Sequence, residues 1–277
     1  MMSIYFNYNG KLYQEHKTII TADSRALRYG DGLFETIRVS NNKIKLKEFH
    51  FDRLFAGMKI LQFHIPIGFH QRMLEEGILN LCRKNHFHKE VRVRLMVFRG
   101  EGGLYDPENH IPNYIIQVWE IAADHFNENG LQIDIFQDIR KSNDILGNLK
   151  TNNYLPYILA ALFVKKRNGN DALLLNVDGN VCDSTNANVF VINGNNIITP
   201  PLSAGCVSGV MRRWLIDQIP SCGYNIIEKE LTVEELEKGE SVFLTNAIHM
   251  IRWVKNCGSR QYSKMNVLKL YNVLARK

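Results

Sequence analysis

The apolar residues of the chain follow two rhythms. Runs rich in β-branched and aromatic residues at Ser3–Tyr8, Leu33–Val39, Val91–Phe98 and Tyr114–Trp119 predict strands. Between the second and third of these, Phe51, Leu54, Phe55, Met58 and Leu61 recur at three- and four-residue spacing, the mark of an amphipathic helix. Another helix is expected over Gln71–Arg83. Two strand runs, then helices, then two more strands point to an α+β arrangement rather than a doubly wound sheet.

The polar stretch Ala122–Gly130 ends in turn-forming residues and reads as a boundary. It divides the chain into a small α/β domain over 1–122 and a larger, strand-rich domain over 131–277, with a linker at about 123–130. Beyond it, strands are expected at Leu131–Phe136, Ala172–Val177, Asn188–Ile192, Ile197–Thr199, Asn225–Glu228 and Ser241–Thr245. Helices are expected from about Asn153 to Arg167 and from about Ser208 to Ile219, the latter stopped by Pro220. Asp178-Gly179 and Asn193-Gly194, each between strand runs, are hairpin signals.

Composition narrows the class only a little. The chain has 277 residues, of which 45% are hydrophobic and 22% charged, enough apolar material for a sizeable core. It contains no uncharged apolar run long enough to span a bilayer, and its first residues do not form a signal peptide, so a cytoplasmic protein is expected. The five cysteines are widely spaced and lack a C-x-x-C pair, which argues against a disulfide framework or a zinc knuckle. No metal site is expected. The formal charge of +6 draws five basic residues from the stretch after Asn256 (Arg260, Lys264, Lys269, Arg276, Lys277). A helix with a solvated basic face explains them better than a nucleic-acid-binding arm, and a small anionic ligand suits the sign equally well.

Four separated features carry candidate chemistry. In Gly147-Asn148-Leu149-Lys150-Thr151-Asn152-Asn153-Tyr154, a lysine lies between a turn and a helix among small polar residues, where it reads as a surface base or as a Schiff-base amine. In Gly179–Phe190, Asp183 leads into an apolar strand, either as a turn residue or as a carboxylate serving the ring nitrogen of a cofactor. Gly205–Arg213 opens a helix with small residues and exposes backbone N–H groups to an anion. Arg53, early in the first amphipathic helix, supplies a candidate side-chain clamp for phosphate. An amine, a carboxylate, an anion-binding helix start and an arginine are together the groups that hold pyridoxal 5′-phosphate (PLP).

The motifs then reach a resemblance. Arg28-Tyr29-Gly30-Asp31-Gly32-Leu33-Phe34-Glu35-Thr36-Ile37-Arg38, His50-x-x-Arg53-Leu54, Leu149-Lys150 with Asn153, Asp183-x-x-x-x-Asn188-Val189-Phe190, Thr199-Pro200 and Gly209-Val210-Met211-Arg212 resemble the class IV aminotransferases, the fold-type IV PLP enzymes. The resemblance runs from about residue 20 to about residue 255. It implies a fold-type IV architecture of two domains with the cofactor cleft between them, and a homodimer with shared active sites. Lys150 is implied as the Schiff-base lysine and proton carrier. Arg53 and the backbone amides of Val210 and Met211 are implied at the phosphate, with Asn246 and Ala247 nearby, and Tyr154 at the phenolic oxygen. Asp183 stands where the family has glutamate at the ring nitrogen, a departure that shortens the side chain by one bond.

The family comprises transaminases and a lyase that share an external aldimine formed on a small amino-acid-like substrate. Glu35-Thr36 and Thr245-Asn246-Ala247 resemble the 4-amino-4-deoxychorismate lyases, which expel pyruvate and leave an aromatic amine; Thr36 is then a candidate catalytic residue. Leu104, where the lyases carry a second arginine, points instead to the amino-acid:2-oxo-acid aminotransferases, with the branched-chain type ahead of the D-amino-acid type. Tyr29, Phe34, Arg38, Arg94 and Arg99 are the candidate substrate-binding residues, the arginines because a guanidinium fork matches a carboxylate.

Overall fold

A computed structural model describes residues 4–123 and 125–275 of the chain. Ser3, which opens the first expected strand, Asp124 in the expected linker, and Arg276 and Lys277 of the basic tail lie outside the described residues. The chain forms two compact units. The first comprises residues 1–123 together with Lys150–Asn153; the second comprises residues 124–149 and 154–277.

The first unit begins with the hairpin β1 (Tyr5–Tyr8) and β2 (Lys11–Gln14), followed by a short helix α1 (Arg25–Tyr29). Then come β3 (Gly32–Ser40), β4 (Lys43–Ile44), helices α2 (Lys47–Ile60) and α3 (Gln71–Lys84), and the long pair β5 (Glu90–Arg99) and β6 (Pro112–Glu120). The strands make one antiparallel sheet in the order β2-β1-β6-β5-β3-β4. Alternation along β3 buries Leu33, Glu35, Ile37 and Val39, and Val91, Val93, Leu95 and Val97 do the same on β5. Leu54 and Met58 of α2 and Leu74, Ile78 and Leu81 of α3 are fully enclosed, as the helical spacing predicts.

The second unit opens with β7 (Leu131–Lys141), which carries a bulge between Phe136 and Arg140. Helix α4 (Leu155–Lys166), the hairpin β8 (Asp171–Asn176) and β9 (Val181–Ser184), and the hairpin β10 (Asn188–Asn193) and β11 (Asn196–Thr199) follow. Gly179 and Gly194 take the left-handed conformation that the two hairpin turns require. Next come α5 (Val210–Gln218), β12 (Asn225–Glu228), α6 (Val233–Lys238), β13 (Ser241–Thr245), β14 (Arg252–Cys257), β15 (Arg260–Gln261) and α7 (Met265–Leu274). The sheet is mixed, ordered β12-β11-β10-β13-β14-β7-β8-β9, with β15 paired to β14. Of the described basic residues after Asn256, Arg260 lies in β15, Lys264 precedes α7 and Lys269 lies within it; the apolar stripe of α7, Val267, Leu270 and Leu274, is buried in one cluster with Phe190 of β10 and Phe243 of β13.

One correction concerns the boundary. The segment 150–153, expected in the larger domain, is part of the first unit. The Phe34 N–H donates to the Lys150 carbonyl and the Asn152 N–H to the Gly32 carbonyl, both at 2.9 Å, so the segment adds to the free edge of β3.

Candidate functional site

Two buried carboxylate clusters, one in each unit, organise the residues singled out by sequence. In the first unit, the glycines of Tyr29-Gly30-Asp31-Gly32 are there for close approach. Gly30 ends α1 in the left-handed conformation, and a Cβ on Gly32 would sit 2.2 Å from the Val97 carbonyl oxygen. That leaves room for residues 150–153 along β3. Lys150 Nζ then lies 4.3 Å from the centroid of the Phe34 ring, and the Arg94 guanidinium lies 4.1 Å from the same centroid. Both contacts are in the range of a cation over an aromatic face. Thr36 is two residues along β3 from Phe34 and opposite Arg94 on β5, so the three share one face of the sheet.

The other face holds Glu35, which is 1% exposed. Its Oε1 accepts from Arg53 Nε at 2.7 Å and its Oε2 from Arg53 Nη2 at 2.5 Å, a two-pronged pair. Oε2 also meets His50 Nδ1 at 2.6 Å, with His50 and Arg53 three residues apart on α2. Burial alone would raise the Glu35 pKa, but Arg53 and His50 outweigh it and hold the carboxyl at about 2. Burial, against the pull of Glu35, lowers the pKa of His50. Arg53, expected at a phosphate, therefore already grips a carboxylate.

The remaining arginines are separated from this group by their partners. Arg38 pairs with Glu90 at 2.7 Å. Arg99 donates through Nε to both oxygens of Asp31, through Nη1 to the Gln62 carbonyl and through Nη2 to the Leu61 carbonyl. These contacts make it a strut between loops. Tyr29 closes α1 beside Arg25 and Tyr105.

In the second unit, the residues expected around a cofactor converge on one end of the sheet, where Asn188 of β10 pairs with Thr245 of β13. Asp183 on β9 is 2% exposed. Its Oδ1 accepts from Asn188 Nδ2 at 3.0 Å; its Oδ2 accepts from the Val207 N–H at 2.9 Å, Lys141 Nζ at 2.7 Å and the Tyr157 hydroxyl at 3.2 Å. Lys141 Nζ also donates to the Tyr157 hydroxyl, so the three side chains contact one another in a closed triangle. Burial would lower the Lys141 pKa, but Asp183 reverses that and the net direction is upward. Burial, reinforced by Asp183, raises the Tyr157 pKa well above its ordinary value, so the phenol is neutral.

The neighbouring backbone is ordered around this carboxylate. Helix α5 is preceded by Gly209, where a Cβ would fall 1.9 Å from Asn188 Oδ1. Gly209 brings no side-chain cap and the first turn holds no acid, so the N–H groups of Val210 and Met211 open the helix without a capping acceptor from Gly209. Asn246 Oδ1 accepts from the N–H groups of Ile248 and His249 and its amide donates to Asn186 Oδ1, bracing the turn that contains Ala247. Tyr154, just before α4, stacks on Tyr157 with centroids 4.2 Å apart. Asp171, at the start of β8, accepts from the Thr185 N–H, the Thr185 hydroxyl and the Ser184 hydroxyl, and so fixes the β9–β10 turn.

Sequence reasoning misses Lys141 and Tyr157 as partners of Asp183 and Asp171 as the anchor of the β9–β10 turn, and it gives Glu35 no partner. The spacing of His50 and Arg53 on a helix opposite a strand acid is a usable signal for the last. Lys141, following Arg140 at the end of a strand, has none.

Residues 32–257 match the family described as amino-transferase class IV. The chain belongs to that family and is one of its enzymes. It is 28% identical over 246 residues to a putative branched-chain-amino-acid aminotransferase of Methanocaldococcus jannaschii, covering 88% of this chain and 84% of that protein. It is 26% identical over 236 residues to the aminodeoxychorismate lyase of Vibrio harveyi, covering 84% and 85%. Its fold is the fold-type IV fold. It superimposes with a TM-score of 0.88 and 22% identity on the branched-chain aminotransferase of Thermoproteus uzoniensis with norvaline, over 100% of this chain and 96% of that one.

Proposed function

We propose that this chain is a PLP-dependent enzyme of 4-amino-4-deoxychorismate lyase type, releasing pyruvate from an amino-acid-like substrate and leaving an aromatic amine. The observation that carries the reading is the shared face on β3, where a lysine amine and an arginine flank the Phe34 ring with a threonine beside them. The donor set suits the cofactor: an amine at Lys150 for its aldehyde, and at α5 an open helix start with no acid in its first turn for its phosphate. His50 Nε2, buried and without a partner among the described residues, is a further polar group left for a ligand.

Bound PLP supplies a sink for the electron pair left when the substrate carbon bearing the amine loses its proton. In this proposal Lys150 Nζ would take that proton and return it through the Thr36 hydroxyl to the departing three-carbon group, so that both side chains end in their starting state. Arg94 engages a substrate carboxylate. In the second unit the backbone N–H groups of Val210 and Met211 would hold the phosphate, with Asn246 and Ala247 nearby, and Tyr154 would serve the phenolic oxygen; Arg53, assigned to the phosphate by the resemblance, has its Nε and Nη2 engaged by Glu35. The exposed apolar stripe of α4, Leu155, Ile158, Leu159 and Leu162, supports a homodimer in which that stripe is covered.

A second reading, transfer of the amino group from a branched-chain amino acid to a 2-oxo acid, is favoured by Leu104. This side chain is 69% exposed, and it stands where the lyases place a second arginine. One incubation separates the two. Purified protein supplied with PLP and 4-amino-4-deoxychorismate, but no 2-oxo acid, is expected to release pyruvate. No pyruvate, together with amino transfer from leucine, isoleucine or valine to 2-oxoglutarate, overturns the lyase in favour of the transaminase. Lys150→Ala is expected to lose the near-visible absorbance of the covalently held cofactor.

A further inference from the structure

The face of the first sheet that carries Phe34, Thr36 and Arg94 continues past them. Arg92 lies two residues before Arg94 on β5, opposite Arg38 on β3 and Trp119 on β6, so its side chain emerges on that same face. Two residues of strand set the Arg92 and Arg94 stems about 7 Å apart. The other arginines of β3 and β5 are engaged. Arg38 Nε donates to Glu90 Oε2 at 2.7 Å, and the Ser40 hydroxyl donates to Oε1 of the same acid at 2.6 Å. Arg99 is held by Asp31 and by two backbone carbonyls. Arg92 differs. It is exposed, it makes no hydrogen bond or ion pair among the described residues, and its guanidinium stands 5.8 Å from the centroid of the Trp119 ring. Lys43 and Lys45, both exposed, extend the same face outward, Lys43 paired with Ser40 and the Lys45 N–H donating to the Arg38 carbonyl.

We propose that Arg92 is a specificity-determining residue that binds a second carboxylate of the substrate, the first being held at Arg94. A guanidinium paired with an acid has committed its fork; one that faces solvent keeps it for a ligand. The Trp119 ring restrains the Arg92 side chain, so less rotamer freedom is lost when an anion docks. Lys43 and Lys45 add positive potential along the same face, which draws a dianion more strongly than a monoanion. The inference rests on the lyase reading. The substrate 4-amino-4-deoxychorismate carries two carboxylates, one that departs in pyruvate and one that stays on the ring, and two arginines on one face of a strand match such a dianion. A branched-chain amino acid has a single carboxylate and an apolar tail, and gives Arg92 nothing to bind.

The test is calorimetric binding of chorismate to the full-length protein loaded with PLP. Chorismate keeps both carboxylates but has a hydroxyl in place of the amine, so it docks without condensing with the cofactor. The monoanion 4-methylvalerate serves as the control. Arg92→Gln is expected to weaken chorismate about 10- to 100-fold, the loss of one charge-assisted pair, and to leave 4-methylvalerate where it was. Arg92→Lys is expected to regain part of that loss, because the charge returns without the fork. Unchanged chorismate binding in Arg92→Gln overturns the proposal. So does an equal weakening of chorismate and 4-methylvalerate, which marks a general disturbance of the face, and so does a wild type that binds chorismate no more tightly than the control. Chorismate binding that depends on Arg92, together with no pyruvate released from 4-amino-4-deoxychorismate, leaves the second-carboxylate site standing and sinks the lyase reading instead. The two failures are therefore read from different measurements.

Discussion

Glu35 and Asp183 are both enclosed carboxylates paired with a cation, yet the two pairs are built differently. Glu35 meets a guanidinium whose planar fork engages both oxygens, and a histidine shares the load. Asp183 meets an ammonium, a point charge on a flexible stem, at one oxygen only, and the rest of its shell comes from a phenol, an amide and a backbone N–H. In the first cluster, a side chain's shape fixes the pair. In the second, the fold must supply the missing contacts one at a time. A fork tolerates small shifts of its neighbours; a converging shell fails when any member leaves.

The largest effect is expected where that shell is opened. Lys141→Met leaves Asp183 buried without its cation and should cost about 3–5 kcal/mol in urea unfolding. Adding Asp183→Asn, which removes the stranded charge, should recover most of the loss. If the two losses simply add, the residues are not coupled and the contrast with Glu35 collapses.

Acid unfolding sharpens the contrast from the other side. Glu35 has a pKa of about 2 in the folded protein, below its ordinary value of 4.5, so the unfolded chain binds that proton first. The stabilisation is complete above roughly pH 4.5 and drains away as the pH falls toward about 2, a loss of roughly 3 kcal/mol. The depressed His50 pKa acts with the same sign at higher pH, because its charged form is favoured by unfolding. Glu35→Gln should flatten the profile between about pH 4.5 and about pH 2. An unchanged slope there would mean that other carboxylates carry the acid limb.

The smallest change asks whether the fork itself matters. Arg53→Lys keeps the charge but loses one prong to Glu35, and about 1–2 kcal/mol of stability should go with it. A neutral result would place the energy in charge alone and make the two clusters equivalent.

Much of the scaffold is legible from spacing. β12 and β13 occupy the spans their apolar runs predict, and α3 lies within one residue of its expected span. The period-two alternation along β3 is itself enough to put Glu35 and Thr36 on opposite faces. The failures have physical causes. The helix α6 has a complete capping box, Thr232 with Glu235, which is readable but sits on a six-residue element without a long apolar stripe. The strand β9 reads as a turn in the sequence because Asp183 and Ser184 are polar, whereas both are buried, Asp183 under donors from other elements and Ser184 with its hydroxyl donating to Asp171. Lys141 is invisible because a bulge decides which way it faces, and bulges leave no periodic trace. Arg53 and Asp183 are legible as residues of interest; their partners depend on pairings distant in sequence.

The segment 150–153 on the edge of β3 also bears on how the protein is made. Residues 124–149 must be synthesised before Lys150–Asn153 can reach the strand they complete. The N-terminal unit therefore leaves the ribosome with part of one sheet edge open, and a loop must close before Lys150 has its register against Phe34. Docking of Lys150 is therefore a late, long-range event, and a nascent chain stalled short of residue 150 would hold much of the first sheet but not the segment that completes its edge.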